Sequence, residues 1–124
     1  MFTRSKSEVE SVEWGNGTSH RLLIEADNMG FAVAHTLVRA GTESKLQYRK
    51  NLEACYCIRG SGNVEDTEGN RYEVTPGVVY VFDGNEPHFL RASDHEDLEL
   101  VSIFNPPIRG DEKHVLSASG FSTY

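Results

Sequence analysis

The feature that most constrains this chain is how short its apolar segments are, because turn residues interrupt them repeatedly. Segments such as "FAVAHTLV", "EACYCI" and "GVVYVFD" have the length of strands, and no segment sustains a helical period of about 3.6 residues over three turns. Clusters of Gly, Asn, Asp and Pro such as "DNMG", "GSGN" and "DGNEP" separate them. Short strands at a spacing of roughly 8–12 residues, with turn signals between them, predict an all-β sandwich or barrel.

The same signals predict where individual elements begin and end. The segment "HRLLIEAD" is predicted as a strand that stops at "DNMG", and "TEGN" between "NVED" and "RYEV" predicts a β-hairpin. A length of 124 residues predicts a single domain spanning 1–124. Its barrel core is expected over about residues 21–107, followed by an irregular, polar C-terminal tail over 108–124.

Composition and charge exclude several classes of partner. The net charge is −7 and no stripe of Lys and Arg is visible, so the sequence predicts no nucleic-acid surface. It has no apolar run near the roughly 18 residues of a membrane span, and its N-terminus lacks the apolar region of a secretory signal. Cys55 and Cys57 would share one face of a strand but lie too far apart for a relaxed disulfide. We therefore expect buried thiols in a reducing cytoplasm.

The spacing of residues in the first half of the chain matches the first motif of the cupin jelly-roll barrel, or double-stranded β-helix. That motif runs Gly, five residues, His, one, His, three or four, Glu, six, Gly. This chain has Gly41, Gln47, Arg49, Glu53 and Gly60 at that spacing. The frame is intact and the glutamate is present, but glutamine and arginine replace the two histidines.

The second cupin motif, Gly, five residues, Pro, one, Gly, two, His, matches in frame as well. Gly77 begins it, Asp83 and Asn85 occupy the Pro and Gly positions, and His88 ends it. Two spaced frames in one small all-β chain predict the cupin fold. They also leave a carboxylate and an imidazole as candidate metal ligands.

A metal site needs at least a third donor, and Tyr80 offers one as a phenol inside the apolar strand "GVVYVFD". A carboxylate, an imidazole and a phenolate suit iron, most simply Fe²⁺, while zinc and manganese remain open. Three protein ligands leave positions for a substrate oxygen, as Lewis-acid catalysis requires. The structural alternatives are an exposed edge-strand Glu53, a core Tyr80 with a satisfied hydroxyl, and a turn histidine at His88.

Several stretches resemble the ectoine synthase family of cupin enzymes over roughly residues 21–114. They are "DNMGF", "AGTE", "NLEACYCIRGSG", "PGVVYVFD", "PHFLRA" and "FNPP" followed by "E-x-H". The resemblance implies a single iron held by a glutamate, a tyrosine and a histidine, which correspond to Glu53, Tyr80 and His88. It also implies a substrate pocket that uses Thr36, Tyr48, Phe104, Glu112 and His114. Trp14 is the candidate for a pocket tryptophan, although it precedes Arg21 by seven residues where the family has four.

The activity implied by the resemblance is an iron-dependent cyclising dehydration, a hydro-lyase reaction. The α-amine of N-γ-acetyl-L-2,4-diaminobutyrate attacks its own acetamide carbonyl, and loss of water gives ectoine, a compatible solute of osmotic stress. The metal is expected to act as a Lewis acid, with Glu112, His114 and Tyr48 as catalytic residues. The resemblance also implies a homodimer.

The sequence departs from the family pattern where the family has a pocket cysteine, at Ser102, and a histidine, at Asn51; the tail after His114 also differs. These differences keep two alternatives open. One is a related cupin acting on another small amide or amine, and the other is a non-catalytic cupin that binds a small solute.

Overall fold

The computed structural model describes residues 1–112, 115–116 and 120–123. The strands within them are β1 (Ser11–Glu13), β2 (Gly17–Leu23), β3 (Ala32–Val38), β4 (Glu43–Gln47), β5 (Leu52–Arg59), β6 (Gly62–Asp66), β7 (Arg71–Val74), β8 (Val79–Phe82), β9 (His88–Ala92), β10 (Leu98–Asn105), β11 (Val115–Leu116) and β12 (Ser122–Thr123).

The strands form two six-stranded sheets, one in the order β1-β2-β3-β10-β5-β8 and the other in the order β11-β12-β4-β9-β6-β7. Neighbours pair antiparallel, except that β12 lies parallel to β4. Within the described residues, helix is limited to two 3-10 turns, Lys6–Glu8 and Glu25–Asp27. No helix formed by that part of the chain is long and apolar enough to cross a membrane. The predicted all-β architecture of two packed sheets is confirmed.

Alternation along the central strands decides which side chains enter the interior. On β10 every second residue from Leu98 to Phe104 is buried, and on β5 Glu53, Cys55 and Cys57 are buried while Tyr56 is exposed. Successive residues of a strand point to opposite faces, so a period of two places Glu53 and both thiols on the same inner face. The interior is therefore apolar except where a polar residue occupies an inward-pointing position of a strand.

The first long strand differs from the sequence prediction at both ends. It starts at Gly17 and stops at Leu23, so the "EAD" of "HRLLIEAD" leaves the sheet and forms the second 3-10 turn. The Asp27 carboxylate accepts the Ile24 N–H at 2.9 Å and pairs with Arg4. A local side-chain acceptor thus replaces the strand pairing that the alternating pattern predicted.

Two other predicted segments show how backbone groups find partners. The hairpin at "TEGN" forms as predicted, with Asp66 Oδ1 accepting the N–H groups of Glu68 and Asn70 at 2.9 Å each. The tail, expected to be irregular over 108–124, contributes β11 and β12 where it is described. Pairing of β12 with β4 satisfies backbone groups that a sheet edge would otherwise leave unpaired.

Two apolar clusters fill the space between the sheets. The larger contains Tyr80, Phe82 and mainly aliphatic residues of both sheets, with Trp14 packed against it. The smaller contains Ala32, Tyr48, Phe104 and Ile108. Side chains of both clusters meet around one interior cavity.

Candidate metal centre and active site

The interior cavity is lined by polar and aromatic side chains from both sheets. Its wall includes Trp14, Ser19, Thr36, Tyr48, Glu53, Cys55, Tyr80, Ser102 and Phe104, together with leucines of the larger cluster. The cavity is narrow, at about 20 Å³. A volume of roughly 10–15 Å³ by this kind of measure holds one water. A larger ligand therefore requires side chains of the wall to move apart.

Glu53 is a buried acid on β5. Its residue is 5 % exposed, and its register partners on the neighbouring strands are Phe82 and Phe104. Burial raises the pKa of the Glu53 carboxyl from 4.5 to about 8, and hydrogen bonding with Cys55 partly opposes this shift. Among the described residues, no cation contributes to this pKa shift. The ionised carboxylate consequently has no counter-charge among the described groups that shift its pKa.

Tyr80 lies beside Glu53 on the neighbouring strand β8. Its register partner on β5 is Cys55, and both residues are buried and line the cavity. Burial, together with the negative charges that Cys55 and Glu53 would carry, raises the pKa of the Tyr80 hydroxyl well above its usual range. A phenolate therefore does not form here without a cation to stabilise it.

His88 approaches from the other sheet, at the start of β9. It is 1 % exposed, and its ring stacks on Phe82 with centroids 3.5 Å apart and an interplanar angle of 17°. Its Nδ1 lies 3.2 Å from the Glu86 carbonyl oxygen. A carbonyl oxygen only accepts, so Nδ1 carries a hydrogen, and in the neutral imidazole Nε2 then holds the lone pair. A backbone carbonyl on the second ring nitrogen is the usual support for a metal-binding histidine.

These three side chains fit a divalent metal by their chemistry. Within the described residues, no three side chains of the types His, Cys, Asp and Glu form a group that could hold a metal ion. A site built at this cavity from described side chains alone would therefore need a ligand outside that set, and the Tyr80 oxygen is a candidate. Glu53 and Tyr80 are acids whose burial disfavours their charged forms, and a bound cation is the natural partner for such a pair.

The predicted substrate-binding residues fall into two groups. Trp14, Thr36, Tyr48 and Phe104 all line the cavity. Tyr48 and Phe104 pack edge to face at 5.4 Å and 82°, which gives the wall a rigid aromatic corner. The structure therefore brings these four side chains to the same cavity as Glu53 and Tyr80.

Glu112 lies outside the cavity wall that the described residues form. Its carboxylate accepts the N–H of Arg109 at 2.7 Å and that of Gly110 at 2.8 Å, so it shapes the loop after β10. His114 lies outside the described residues. Catalytic roles for these two residues stay predictions.

Gln47 and Asn85, which replace the usual residues of the two cupin motifs, form hydrogen bonds within the fold. Gln47 donates to the Asn85 carbonyl at 3.1 Å, and the Asn85 amide donates to the carbonyls of Tyr48 and Asn51 at 2.9 and 3.0 Å. The Asn51 amide donates to Pro106 O at 2.6 Å. These hydrogen bonds connect the loops around the cavity. Of the two positions that differ from the family pattern, Asn51 is not part of the described cavity wall, whereas Ser102 is.

Sequence reasoning passed over two residues of this region. Cys55 was expected as a buried thiol that is not a metal ligand, and it lines the cavity between Tyr80 and Ser102. Arg21 is 7 % exposed on the inner face of β2 and donates to the Gly110 carbonyl at 2.8 Å, which anchors the loop that carries Glu112. Arg21 can be recognised in the sequence as a charged residue that falls on the alternate positions of its strand that point inward.

The two facing sheets, packed around one interior cavity, define a cupin fold. In agreement, a cupin domain of an XRE-family transcriptional regulator from Enterobacter cloacae shares the fold with a TM-score of 0.64 at 18 % identity, covering 75 % of this chain and 99 % of that one. The family model for ectoine synthase matches residues 2–121.

Similar proteins agree with that match. The L-ectoine synthase of Marinomonas sp. (strain MWYL1) is 43 % identical over 121 residues, 92 % of each protein. The crystal structure of ectoine synthase from P. lautus superposes with a TM-score of 0.83 at 38 % identity, covering 89 % of this chain and 81 % of that one. The chain belongs to the ectoine synthase family of enzymes.

Proposed function

We propose that this chain catalyses the cyclising dehydration of N-γ-acetyl-L-2,4-diaminobutyrate to ectoine and water, with iron as cofactor. The observation that carries the proposal is the interior cavity of this family member, where Glu53 and Tyr80 meet Thr36, Tyr48 and Phe104. Glu53, Tyr80 and His88 would hold the iron. When bound, the metal supplies Lewis-acid polarisation of the acetamide carbonyl, which is otherwise a poor electrophile.

The wall of the cavity supports ring closure by restricting the substrate. A flexible chain must fold so that its amine reaches its own amide carbon, and fixing such a geometry can supply several kcal/mol, up to about 7–11 kcal/mol in well-oriented cases. The aromatic corner of Tyr48 and Phe104 offers a rigid apolar surface for this fold. The hydroxyls of Thr36 and Ser102, hydrogen-bonded at 2.9 Å, place polar groups on the same wall.

Proton transfers are needed at both ends of the reaction. The attacking amine must lose a proton, and the departing oxygen must gain protons to leave as water. We assign both transfers to Glu112 and His114, acting at the end of the substrate that carries the amine and the carboxylate. The order of the two transfers is left unassigned. The two backbone N–H groups that Glu112 accepts hold its carboxylate in one orientation, which suits a positioned acceptor.

The direct test incubates the iron-loaded protein anaerobically with the acetylated diaminobutyrate and detects ectoine by chromatography. We expect product from the wild-type protein and none from His88→Ala. Glu73→Gln, a change at an exposed strand position, serves as the control that should keep activity. Absence of product from wild-type protein with iron demonstrably bound would refute the synthase proposal.

One observation favours a second candidate, a related small amide or amine as substrate. Ser102 lies in the cavity wall where the resemblance implies a cysteine, so it can change the fit of the bound molecule. A panel of N-acyl diamines of different chain length separates the two candidates. Faster turnover of another member than of the acetylated diaminobutyrate would select the alternative.

We also propose a homodimer in the cytoplasm. The outer face of β5 and β8 exposes Tyr56, Val79 and Val81, the two valines at 55 % each, and Tyr56 pairs directly with Val79. An apolar face that continues to a sheet edge at β8 supports association with a second copy. Cys55 and Cys57 are free thiols, which agrees with a reducing compartment.

A further inference from the structure

Two loops cross between the two sheets and meet at one end of the barrel. Residues 48–51 connect β4 to β5, and residues 83–87 connect β8 to β9. Strands β5 and β8 belong to one sheet, whereas β4 and β9 belong to the other. Each loop therefore carries the chain from one sheet to the other, so hydrogen bonds between the loops hold the two sheets at a fixed spacing there.

The Asn85 side chain joins these two loops. Its amide nitrogen donates to the Tyr48 carbonyl at 2.9 Å and to the Asn51 carbonyl at 3.0 Å. Gln47, the last residue of β4, donates to the Asn85 carbonyl at 3.1 Å. All three hydrogen bonds run from a side-chain amide to a backbone carbonyl. A carbonyl only accepts, so the amide nitrogen of each side chain must face its partner.

The backbone conformation of Asn85 does not by itself require an asparagine. Its φ is +57°, in the left-handed region that glycine adopts without strain and that asparagine tolerates. Asn85 occupies the position where the cupin motif has a glycine. A glycine would keep this turn and lose both donated hydrogen bonds, so the turn alone does not account for the side chain.

The two joined loops lead directly to the candidate metal ligands. Glu53 follows the first loop on β5, Tyr80 precedes the second on β8, and His88 follows it on β9. The ligands therefore come from both sheets, two from one and one from the other. Asn85 also precedes Glu86, whose carbonyl oxygen lies 3.2 Å from the imidazole Nδ1 of His88. The hydrogen bonds of Asn85 thus fix both the spacing of the sheets and the carbonyl that orients the imidazole.

We propose that Asn85 is a positioning residue for metal binding, because it holds the two sheets, and with them the three ligands, at the spacing that one ion requires. The inference rests on the proposed metal site, in which Glu53, Tyr80 and His88 are the ligands. Without its two donated hydrogen bonds the loops can separate, and then only a fraction of the molecules have all three ligands within reach of one ion. The apparent affinity for the metal falls by that fraction.

Titration of the metal-free protein with Co²⁺ tests the inference without measuring activity. We expect Asn85→Gly to weaken Co²⁺ affinity by about tenfold, because it keeps the turn and removes both donated hydrogen bonds. Gln47→Met removes one hydrogen bond of the same network with little change in side-chain length, and should weaken the affinity by about threefold. The titrations use conditions in which circular dichroism shows each variant fully folded, so that a change in stability does not enter the measured affinity.

The matched control is Asn28→Gly. Asn28 has nearly the same backbone conformation, with a φ of +58°, but it lies in the turn that follows Glu25–Asp27 and outside the two loops. The control makes the same chemical change at the same kind of backbone position, so it should leave Co²⁺ affinity unchanged. Urea unfolding of both variants shows how far each glycine lowers stability, which a purely structural role of Asn85 would affect without changing metal affinity.

The outcomes separate this inference from the proposed metal site. If the wild-type protein binds no Co²⁺, or if binding survives in both Glu53→Gln and His88→Ala, the metal site is wrong and both proposals are withdrawn. Wild-type affinity in Asn85→Gly and in Gln47→Met would overturn the positioning role alone. An equal loss in Asn28→Gly would overturn it too, because the effect would then come from a general loosening by glycine. If Asn85→Gly does not fold, the affinity of Gln47→Met decides the question.

Discussion

Replacement of Glu53 by glutamine should stabilise the metal-free protein at alkaline pH. Burial raises the pKa of this carboxyl from 4.5 to about 8. Below pH 4.5 the folded and unfolded chains both keep the proton. Between pH 4.5 and about 8 the unfolded chain releases it and the folded chain does not, so the free energy of unfolding falls as pH rises.

The size of this fall follows from the two pKa values. Their difference, at about 1.4 kcal/mol per pH unit, corresponds to about 5 kcal/mol at pH 8. Total stabilities of small proteins are roughly 5–15 kcal/mol, so one residue controls a large share of the stability of the metal-free state. Glutamine keeps the shape of the side chain and cannot ionise, so the variant should lack this pH dependence.

Urea unfolding of chelator-treated protein at several pH values between 5 and 8 measures the effect. We expect the difference in unfolding free energy between Glu53→Gln and wild type to grow steadily in favour of the variant over this range. The exposed Glu73→Gln variant controls for the chemical change itself and should track the wild type. Parallel pH profiles for wild type and Glu53→Gln would refute the claim that the buried acid is destabilised by its environment.

Three further predictions concern the metal, the fold and the assembly. Tyr80→Phe should lower metal affinity by at least about 10–100-fold while leaving the thermal midpoint nearly unchanged, as measured by chelator competition and calorimetry. Gly60→Ala should cost at least about 3 kcal/mol in urea unfolding, because φ is +80° and a Cβ would clash with the Asp97 carbonyl oxygen. Gly69→Ala, at φ +88° in open space, should cost only about 1–2 kcal/mol. Val79→Lys should convert a dimer to a monomer in size-exclusion chromatography at equal protein concentration.

The strands of this fold can be predicted from the alternation of residues along the sequence, whereas the strand ends and the pairing at the sheet edges cannot. Alternation places Glu53, Cys55 and Cys57 on one face, and the structure confirms it, because the period of a strand is a property of the backbone alone. The C-terminal end of β2 was mispredicted because the Asp27 carboxylate accepts the Ile24 N–H, a contact that depends on the path of the turn. Pairing of the tail with β4 depends on which edge the finished barrel leaves open.

Residue type and spacing together identify the candidate metal ligands, whose role as ligands stays a prediction. The cupin frame and the family resemblance led to Glu53, Tyr80 and His88, and the structure buries all three. Cys55 was expected only as a buried thiol, because a cysteine in an apolar strand has no distinctive signal in sequence. Only the strand order, which places it between Tyr80 and Ser102, shows that it lies at the centre of the wall.

Burial of both acids links metal binding to pH. A metal held by Glu53 and Tyr80 must displace a proton from each, because the pKa of Glu53 is about 8 and that of Tyr80 lies well above its usual range. Affinity should therefore rise about a hundredfold per pH unit below pH 8, where two protons leave, and about tenfold per unit above it, where one leaves. Cobalt titrations at several pH values measure these slopes, and Tyr80→Phe should reduce the slope by one proton throughout. A wild-type affinity that is independent of pH would show that these two groups do not share the metal.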